Sequence, residues 1–411
     1  MGNRMFKKNN NKRRFTIVSV LILSLFTFQL LIPSITAFTT YGFKWAYNTG
    51  DLIYSVAISG DGRYIAAGNY DHHVYLFQNT SSTPLWSYTT GSIVRSVAMS
   101  TDGRYIAAGS DDGKVYLFQN TSATPLWTYN TGFVVQTVAM SAGGQYIVAG
   151  GYGGYVYLFQ RTSNNTLWAS ATVGSVQIVA MSGDGNYIAA GSNNYLYLFK
   201  RTNSTALWNY VAGTTIESVA IAANGKYIAA GSYDYHVYLF QNSSSTPLWS
   251  YATGSPVLTV AMSEDGHYIA AGSYNGYTLY LFQKTSSTPL WKYATGIDVW
   301  SVVMSADGQY IAAGSGKKVI LFQNTSSTPL WSYTTGYSGF INVAISTDGQ
   351  YIAAGCYDYK VYLFGTGVPT NSSQIPGFIW EFALLGVIMG SSIIIPLLRQ
   401  RHDLQIISSS Q

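Results

Sequence analysis

Tyr105-Ile106-Ala107-Ala108-Gly109 is one of eight near-copies of a single phrase. The others start at Tyr64, Tyr146 (where Ile-Val-Ala-Gly follows), Tyr187, Tyr227, Tyr268, Tyr310 and Tyr351, about 41 residues apart. A second phrase, Leu-Trp-x-Tyr or a close variant, puts tryptophan at 45, 86, 127, 168, 208, 249, 291 and 331. Around the quoted stretch, Trp86-Ser87-Tyr88 reads as a short alternating strand and Thr90-Gly91 as a turn. Ile93 to Met99 is rich in the residues strands prefer, and Thr101-Asp102-Gly103 is an Asp-Gly turn into the phrase itself. After the turn Ser110–Gly113, Lys114 to Phe118 forms a fourth strand. A polar turn, Asn120-Thr121-Ser122, then leads through Pro125 to Trp127.

A fixed period of roughly 40–45 residues with this strand content marks propeller blades, each a small antiparallel sheet. The expected fold is all-β: an eight-bladed β-propeller of four-stranded antiparallel blades over 42–365, flanked by N- and C-terminal transmembrane helices. The ends of the repeat array predict how it closes. Trp45 opens the chain without preceding strands of its own, and 340–346, 350–356 and 359–364 end it without a tryptophan strand. Residues 42–48 should therefore complete the last blade and remove the free edges.

Composition supports a large core: 47% of residues are hydrophobic and only 9% charged, so the chain lies far from a disordered composition. The single cysteine, Cys356, excludes an intrachain disulfide and sits where most repeats carry serine. The net charge of +5 is concentrated at the ends. Between residues 39 and 375 there are 14 Lys and Arg against 15 Asp and Glu, so no phosphate-tracking patch is expected and nucleic acid is not an expected partner.

Residues 1–14 form a basic tail, expected to be cytoplasmic, and 15–38 an uncharged stretch long enough to span a bilayer as a signal anchor or signal peptide. Residues 366–376 read as a stalk, 377–398 as a transmembrane helix and 399–411 as a second cytoplasmic tail, with Arg399 and Arg401 at its start. Basic residues at both ends place the repeats on the extracytoplasmic side of the cell membrane. Pro376-Gly377-Phe378 followed by an apolar run and arginines resembles the C-terminal sorting signals of archaeal surface proteins.

The pattern Ser-x-Asp-Gly-x-Tyr-Ile-Ala-Ala-Gly-Ser-x-Asp…Val-Tyr-Leu-Phe resembles the WD-repeat propellers over 42–365. It lacks their Gly-His, and phenylalanine replaces the tryptophan of their closing Trp-Asp. The buried Asp–His network that the resemblance would imply is accordingly not expected. Leu-Trp-x-Tyr-x-Thr-Gly is also similar to the tryptophan-docking repeat of eight-bladed quinoprotein propellers.

No catalytic set stands out. His72, His73, His236 and His267 are scattered over different repeats, no metal-ligand spacing is present, and the recurrent Asp-Gly turns read as structural. No metal and no cofactor is expected. Asn-x-Ser/Thr sequons occur at Asn79, Asn120, Asn164, Asn203, Asn242 and Asn324, each in the turn before a tryptophan strand, and at Asn371 in the stalk; in an exported domain they are expected glycosylation sites.

What differs between near-identical repeats points to binding. The residue before the inner Ser-Val-Ala strand runs Tyr54, Arg95, Gln136, Gln177, Glu217, Leu258, Trp300, Ile341. The loop after Ala-Ala-Gly carries Asp71 and His72, Asp112, Tyr233 and Asp234, Tyr274, and Tyr357 and Asp358. The resemblance implies that both segments lie on one face around the mouth of a central channel. Tyrosine offers contact area at low entropic cost, so a protein or glycan partner is expected there. The expected function is a non-catalytic, extracytoplasmic interaction scaffold, with a quinone-dependent dehydrogenase or a surface-layer or adhesion component as alternatives.

Overall fold

Valine, isoleucine and aromatic runs of six residues, cut by Asp-Gly, Asn-Gly and Ser-Gly turns, can satisfy their backbone groups only by pairing with neighbours. The computed structural model describes residues 41–366 except 338, and it contains 32 strands in eight four-stranded antiparallel sheets. In the second blade these are Val94–Met99, Tyr105–Ser110, Lys114–Gln119 and Ser122–Asn130, ordered from the innermost strand outwards. Burial follows that order. Second and third strands are buried on both faces, whereas outer strands alternate exposed and half-buried residues. The middle of each blade is therefore sandwiched between its neighbours.

The eighth sheet confirms the expected closure. Tyr41–Asn48 pairs antiparallel with Lys360–Thr366, outside Tyr351–Cys356 and Ile341–Ile345. The first strand of the array thus completes the last blade, and the propeller is a closed ring.

Four kinds of contact join each blade to the next. Nearest the phrase that sets the period, a Cβ placed on Gly109 would lie 2.7 Å from Val135 Cγ1 of the following blade. All eight equivalent glycines meet the next inner strand at 2.3–2.7 Å, ending with Gly355 against Ile53 across the closure. Only glycine fits there. Farther out, each tryptophan ring packs on a phenylalanine of the next blade, from Trp45–Phe77 at 5.4 Å to Trp331–Phe364 at 4.8 Å. Seven of these tryptophans donate their indole N–H to a backbone carbonyl of that blade, as Trp86 does to Asn120 at 2.9 Å. The phenylalanine that departs from the WD-repeat pattern is thus the floor on which the tryptophan of the preceding blade docks.

Along the inner strands, a serine, threonine or asparagine side chain accepts the backbone N–H of the next blade. Ser55 accepts from Val97 (3.1 Å), and Asn342 accepts from Val56 (2.8 Å) across the closure. At the far end of the inner strands, the turn backbones form their own ring. Gly60 donates to Thr101, Thr101 to Ala142 and Ala142 to Gly183; Asp184 donates to Ala223, and the chain returns through Glu264, Ala306 and Thr347 to Gly60, at 2.7–3.2 Å. Both rings are altered between blades four and five. There Ile178 has no hydroxyl to offer, and the donor shifts from Gly183 to Asp184.

The Asp-Gly turns are structural, as expected. Ser100 Oγ donates to Asp102 Oδ1 (2.6 Å) and accepts from the Tyr105 N–H (3.0 Å), and Asp102 also accepts from the Arg104 N–H (3.0 Å). Gly103 has φ +69°, and a Cβ on it would lie 2.6 Å from the ring of Tyr64 in the preceding blade. One residue thus satisfies both a left-handed turn and a close inter-blade approach.

One detail differs from the sequence reading. The outer strands Ser81–Thr89 and Ser122–Asn130 run through Pro84 and Pro125, so the strand of the second blade starts at Ser122, at the end of the expected turn Asn120-Thr121-Ser122, rather than at Trp127. Proline is tolerated because an edge strand leaves one side without ladder hydrogen bonds. The expected flanking segments 15–38 and 377–398 lie outside the described residues; among the described residues no helix is long and apolar enough to cross a membrane.

Deleting residues 41–48 from the full chain should open the ring, lowering Tm and replacing one cooperative unfolding transition with several; an unchanged melting curve would overturn the closure. Gly272→Ala, which would put a Cβ 2.4 Å from Val299 Cγ1, should lose about 1–3 kcal/mol in denaturant titration. Gly143→Ala, with nothing within 4 Å, should stay within about 0.5 kcal/mol of the parent.

Candidate functional site

The inner strands begin at one face of the ring, here the entry face, and end at the turn ring on the opposite face. In the first blade Ile53 pairs with Asn69 and Ser55 with Gly68, so the register skips Tyr54. The same skip occurs at Arg95, Gln136, Gln177, Glu217, Leu258 and Trp300. The variable series read from the sequence is thus a series of β-bulges. An extra residue that owes nothing to the ladder can be re-aimed without breaking it.

The eighth member needs correction. Ile341 pairs regularly with Cys356, is fully buried, and stands where other blades carry the core valine or isoleucine that faces the preceding glycine. Blade eight has no bulge. Phe340 takes the vacant place, 5.9 Å from the ring of Trp300 and 5.3 Å from that of Tyr357.

The loops between second and third strands come to the same face, as expected, but their residues divide in two. Asp112 accepts the Gly91 N–H from the inter-blade loop (2.8 Å), the Lys114 N–H (2.9 Å) and the Tyr116 hydroxyl. Asp234 does the same with Gly213 and Tyr238 (both 2.7 Å), and Asp358 with Gly336 (2.9 Å) and Tyr362. Asp71 accepts from Tyr75 (3.2 Å) and lies 3.0 Å from His73 Nδ1, whose Nε2 meets Thr89 Oγ1 at 2.9 Å. These carboxylates tie each loop to its own blade. Burial, then the neighbouring aspartate, pushes the Tyr75, Tyr116, Tyr238 and Tyr362 hydroxyls well above their ordinary range. An Asp–Tyr contact recurs in these four blades, and in the first and fifth the aspartate also lies against a partly exposed histidine, His73 at 3.0 Å and His236 at 3.5 Å. His72 occupies a left-handed turn position (φ +72°) that Gly113 and Gly154 fill in the next two blades.

The remaining candidates face outward. Tyr54 packs against Tyr70 (6.2 Å) and Tyr357 (6.0 Å), and the Tyr357 hydroxyl is pushed up to about 12, first by burial and then by Tyr54. Arg95 forks onto Asp111 at 2.5 and 2.8 Å with its guanidinium 5.7 Å from the Tyr54 ring. Asp111 belongs to the variable loop after Ala-Ala-Gly that the sequence singles out, but its pairing with Arg95 was not foreseen there. Tyr274 lies 5.8 Å from Trp300. Gln136 and Gln177 are half-buried and make no side-chain hydrogen bond among the described residues. Burial alone raises the Glu217 carboxyl. The Tyr233 hydroxyl is raised by burial and then by Glu217, Tyr274 and Asp298.

The sequons sit at the opposite face, in turns between third and outer strands. Asn164 and Asn203 are exposed; Asn79, Asn120, Asn242 and Asn324 are half-buried, and their backbone carbonyls accept the docking tryptophans. Asn371 lies outside the described residues. Among the described residues no three His, Cys, Asp or Glu side chains converge as a metal site would require. Cys356 is fully buried, and burial raises its thiol.

Residues 42–210 match the family model of the outer membrane protein assembly factor BamB. Residues 209–241, 245–278, 288–323 and 327–364 match the WD domain, G-beta repeat. Three of the four WD matches run from one blade's outer strand through three strands of the next, the match over 245–278 stopping as the third strand begins, and the two models meet in the outer strand of blade four (Trp208–Val211). No curated protein matches the chain. Neither model assigns the bulge residues, and of these Glu217 carries the clearest energetic signature. Its carboxyl titrates above the ordinary 4.5, so the stability it contributes when protonated is lost as pH rises through the raised value. Glu217→Gln should melt higher than the parent at neutral pH, with the difference vanishing below the ordinary value; a constant difference across that range would contradict it.

Proposed function

We propose that the protein is a non-catalytic interaction scaffold that presents its entry face to a protein partner. The observation that carries this reading is the set of seven bulges. They place the repeat's most variable side chains on one face, outside the hydrogen-bonding ladder, while the rest of each blade is nearly invariant. The similarity to WD repeats and to an assembly factor fits the same reading, although a propeller fold alone decides no function.

The basic ends and apolar segments support an anchored protein with the propeller on the extracytoplasmic side of the cell membrane. The C-terminal Pro-Gly-Phe segment would then act as a surface-sorting signal, and the sequons would carry glycans on the face opposite the bulges, leaving the entry face bare. A glycan as partner, a surface-layer or adhesion role and a quinone-dependent dehydrogenase are the competing readings. The last draws on the tryptophan docking that the eight blades share.

Affinity capture from the native cell surface with the full chain tests the proposal. Changing Tyr54, Tyr233 and Trp300 together to alanine should lose the captured proteins, whereas changing the exposed Arg104 and Gln309 on the opposite face should retain them. The reverse pattern, or dehydrogenase activity appearing on addition of quinone and calcium, would overturn it.

A further inference from the structure

The entry face is chemically lopsided. From blade six round to blade one, six rings follow one another: Tyr274, Trp300, Phe340, Tyr357, Tyr54 and Tyr70. Successive centroids lie 5.3–6.2 Å apart, and none of the six is buried. The arc is continuous only because blade eight lacks its bulge and Phe340 fills the gap between Trp300 and Tyr357.

The two ends of the arc differ in one respect. At the blade-two end the protein supplies its own cation: Arg95 lies over the Tyr54 ring and forks onto Asp111. Aromatic faces attract guanidinium and ammonium groups, and a carboxylate fork fixes their orientation. At the other end Tyr274 lies 5.8 Å from Trp300, Asp298 accepts the N–H of the adjoining Asn275, and the blade-five bulge sets Glu217 on the same face next to the loop that carries Tyr233, whose N–H bonds Thr215. Asp298 accepts only the Asn275 N–H (2.7 Å), and among the described residues neither carboxylate has an ion-pair partner. Lys317 and Lys318, on the exposed turn of blade seven, pair with neither. The same combination of tyrosine and carboxylate is thus filled at one end and open at the other.

We propose that the entry face binds an extended basic peptide, with an arginine or lysine side chain held by Glu217 and Asp298 against Tyr233, Tyr274 and Trp300, and the rest of the peptide laid along the aromatic arc. Six contiguous rings exceed the reach of a single small cation, which favours a chain. The uncompensated carboxylates favour a basic chain over a glycan. The inference rests on the reading of this face as the partner-binding surface and names the chemistry of that partner.

The test is fluorescence anisotropy on the full chain with a labelled glycine-spaced penta-arginine peptide and its citrulline counterpart, which keeps the shape and loses the charge. The arginine peptide should bind about tenfold tighter, since only the charged side chain is attracted to the ring faces and the carboxylates. Glu217→Gln and Trp300→Ala should each weaken it about five- to tenfold, with melting curves showing that both variants are folded. Tyr274→Ser is the alternative to Trp300→Ala if that variant does not fold, and Gln309→Ala should change nothing. Equal binding of the two peptides, both lost in Trp300→Ala, would overturn the cation chemistry and leave the face as the binding surface. Peptide binding indifferent to all the entry-face variants would overturn the inference, and capture that is equally indifferent would overturn the reading of the face.

Discussion

Every hydrogen bond within a blade could form in an isolated sheet; what makes a ring is the approach of one blade to the next across a glycine. At that point the second strand's backbone lies so close to the following inner strand that no side chain fits between them. The other inter-blade contacts depend on this spacing. A blade displaced by one methyl group would pull the Trp–Phe stack apart at the rim and stretch the serine and threonine acceptors along the inner strands. It would also break the turn ring at the far face. Each net hydrogen bond is worth only about 1 kcal/mol, so no single one holds the ring. The repetition of these contacts around eight junctions does, with the inner-strand acceptor made at seven of them.

The sequence made the architecture legible because its strongest signals are those the packing needs most. Glycine at a fixed offset from tyrosine, tryptophan at a fixed offset from both, and an unmatched tryptophan strand at the start announce the blades, their order and their closure. The bulges were not legible. One extra residue in a run of small and apolar residues does not disturb the alternation enough to be seen, and the Ser-Val-Ala anchor conceals that blade eight is one residue shorter, which misplaced Ile341. The loop aspartates were legible in part. Each of Asp71, Asp112, Asp234 and Asp358 is followed four residues later by tyrosine, a spacing that brings the two together across a tight turn. Their variation between repeats had instead suggested a binding role.

The structure separates what is free to vary from what is not, and it does so by hydrogen bonding. Residues on either side of each bulge belong to the ladder or accept a backbone N–H of the next blade, while the bulged side chain belongs to neither. Recognition on such a face can change at one position per blade with little effect on stability. Glu217 is the instructive case, because its half-buried carboxylate is a burden to the folded state and has no counter-charge in the described residues to offset it.

Closure by the first strand also sets an order of events. Tyr41–Asn48 leaves the ribosome before any blade exists, and its partner Lys360–Thr366 follows about 320 residues later, a delay on the order of 15–60 s at roughly 5–20 residues per second. Seven blades can fold in sequence as they emerge, each docking onto the one before. Throughout that time one strand waits with its hydrogen bonds unmade and the growing arc ends in an open edge, the kind of surface that recruits other chains. The ring is therefore most exposed to aggregation while it is being made, and its last synthesised strand is the one that ends that exposure.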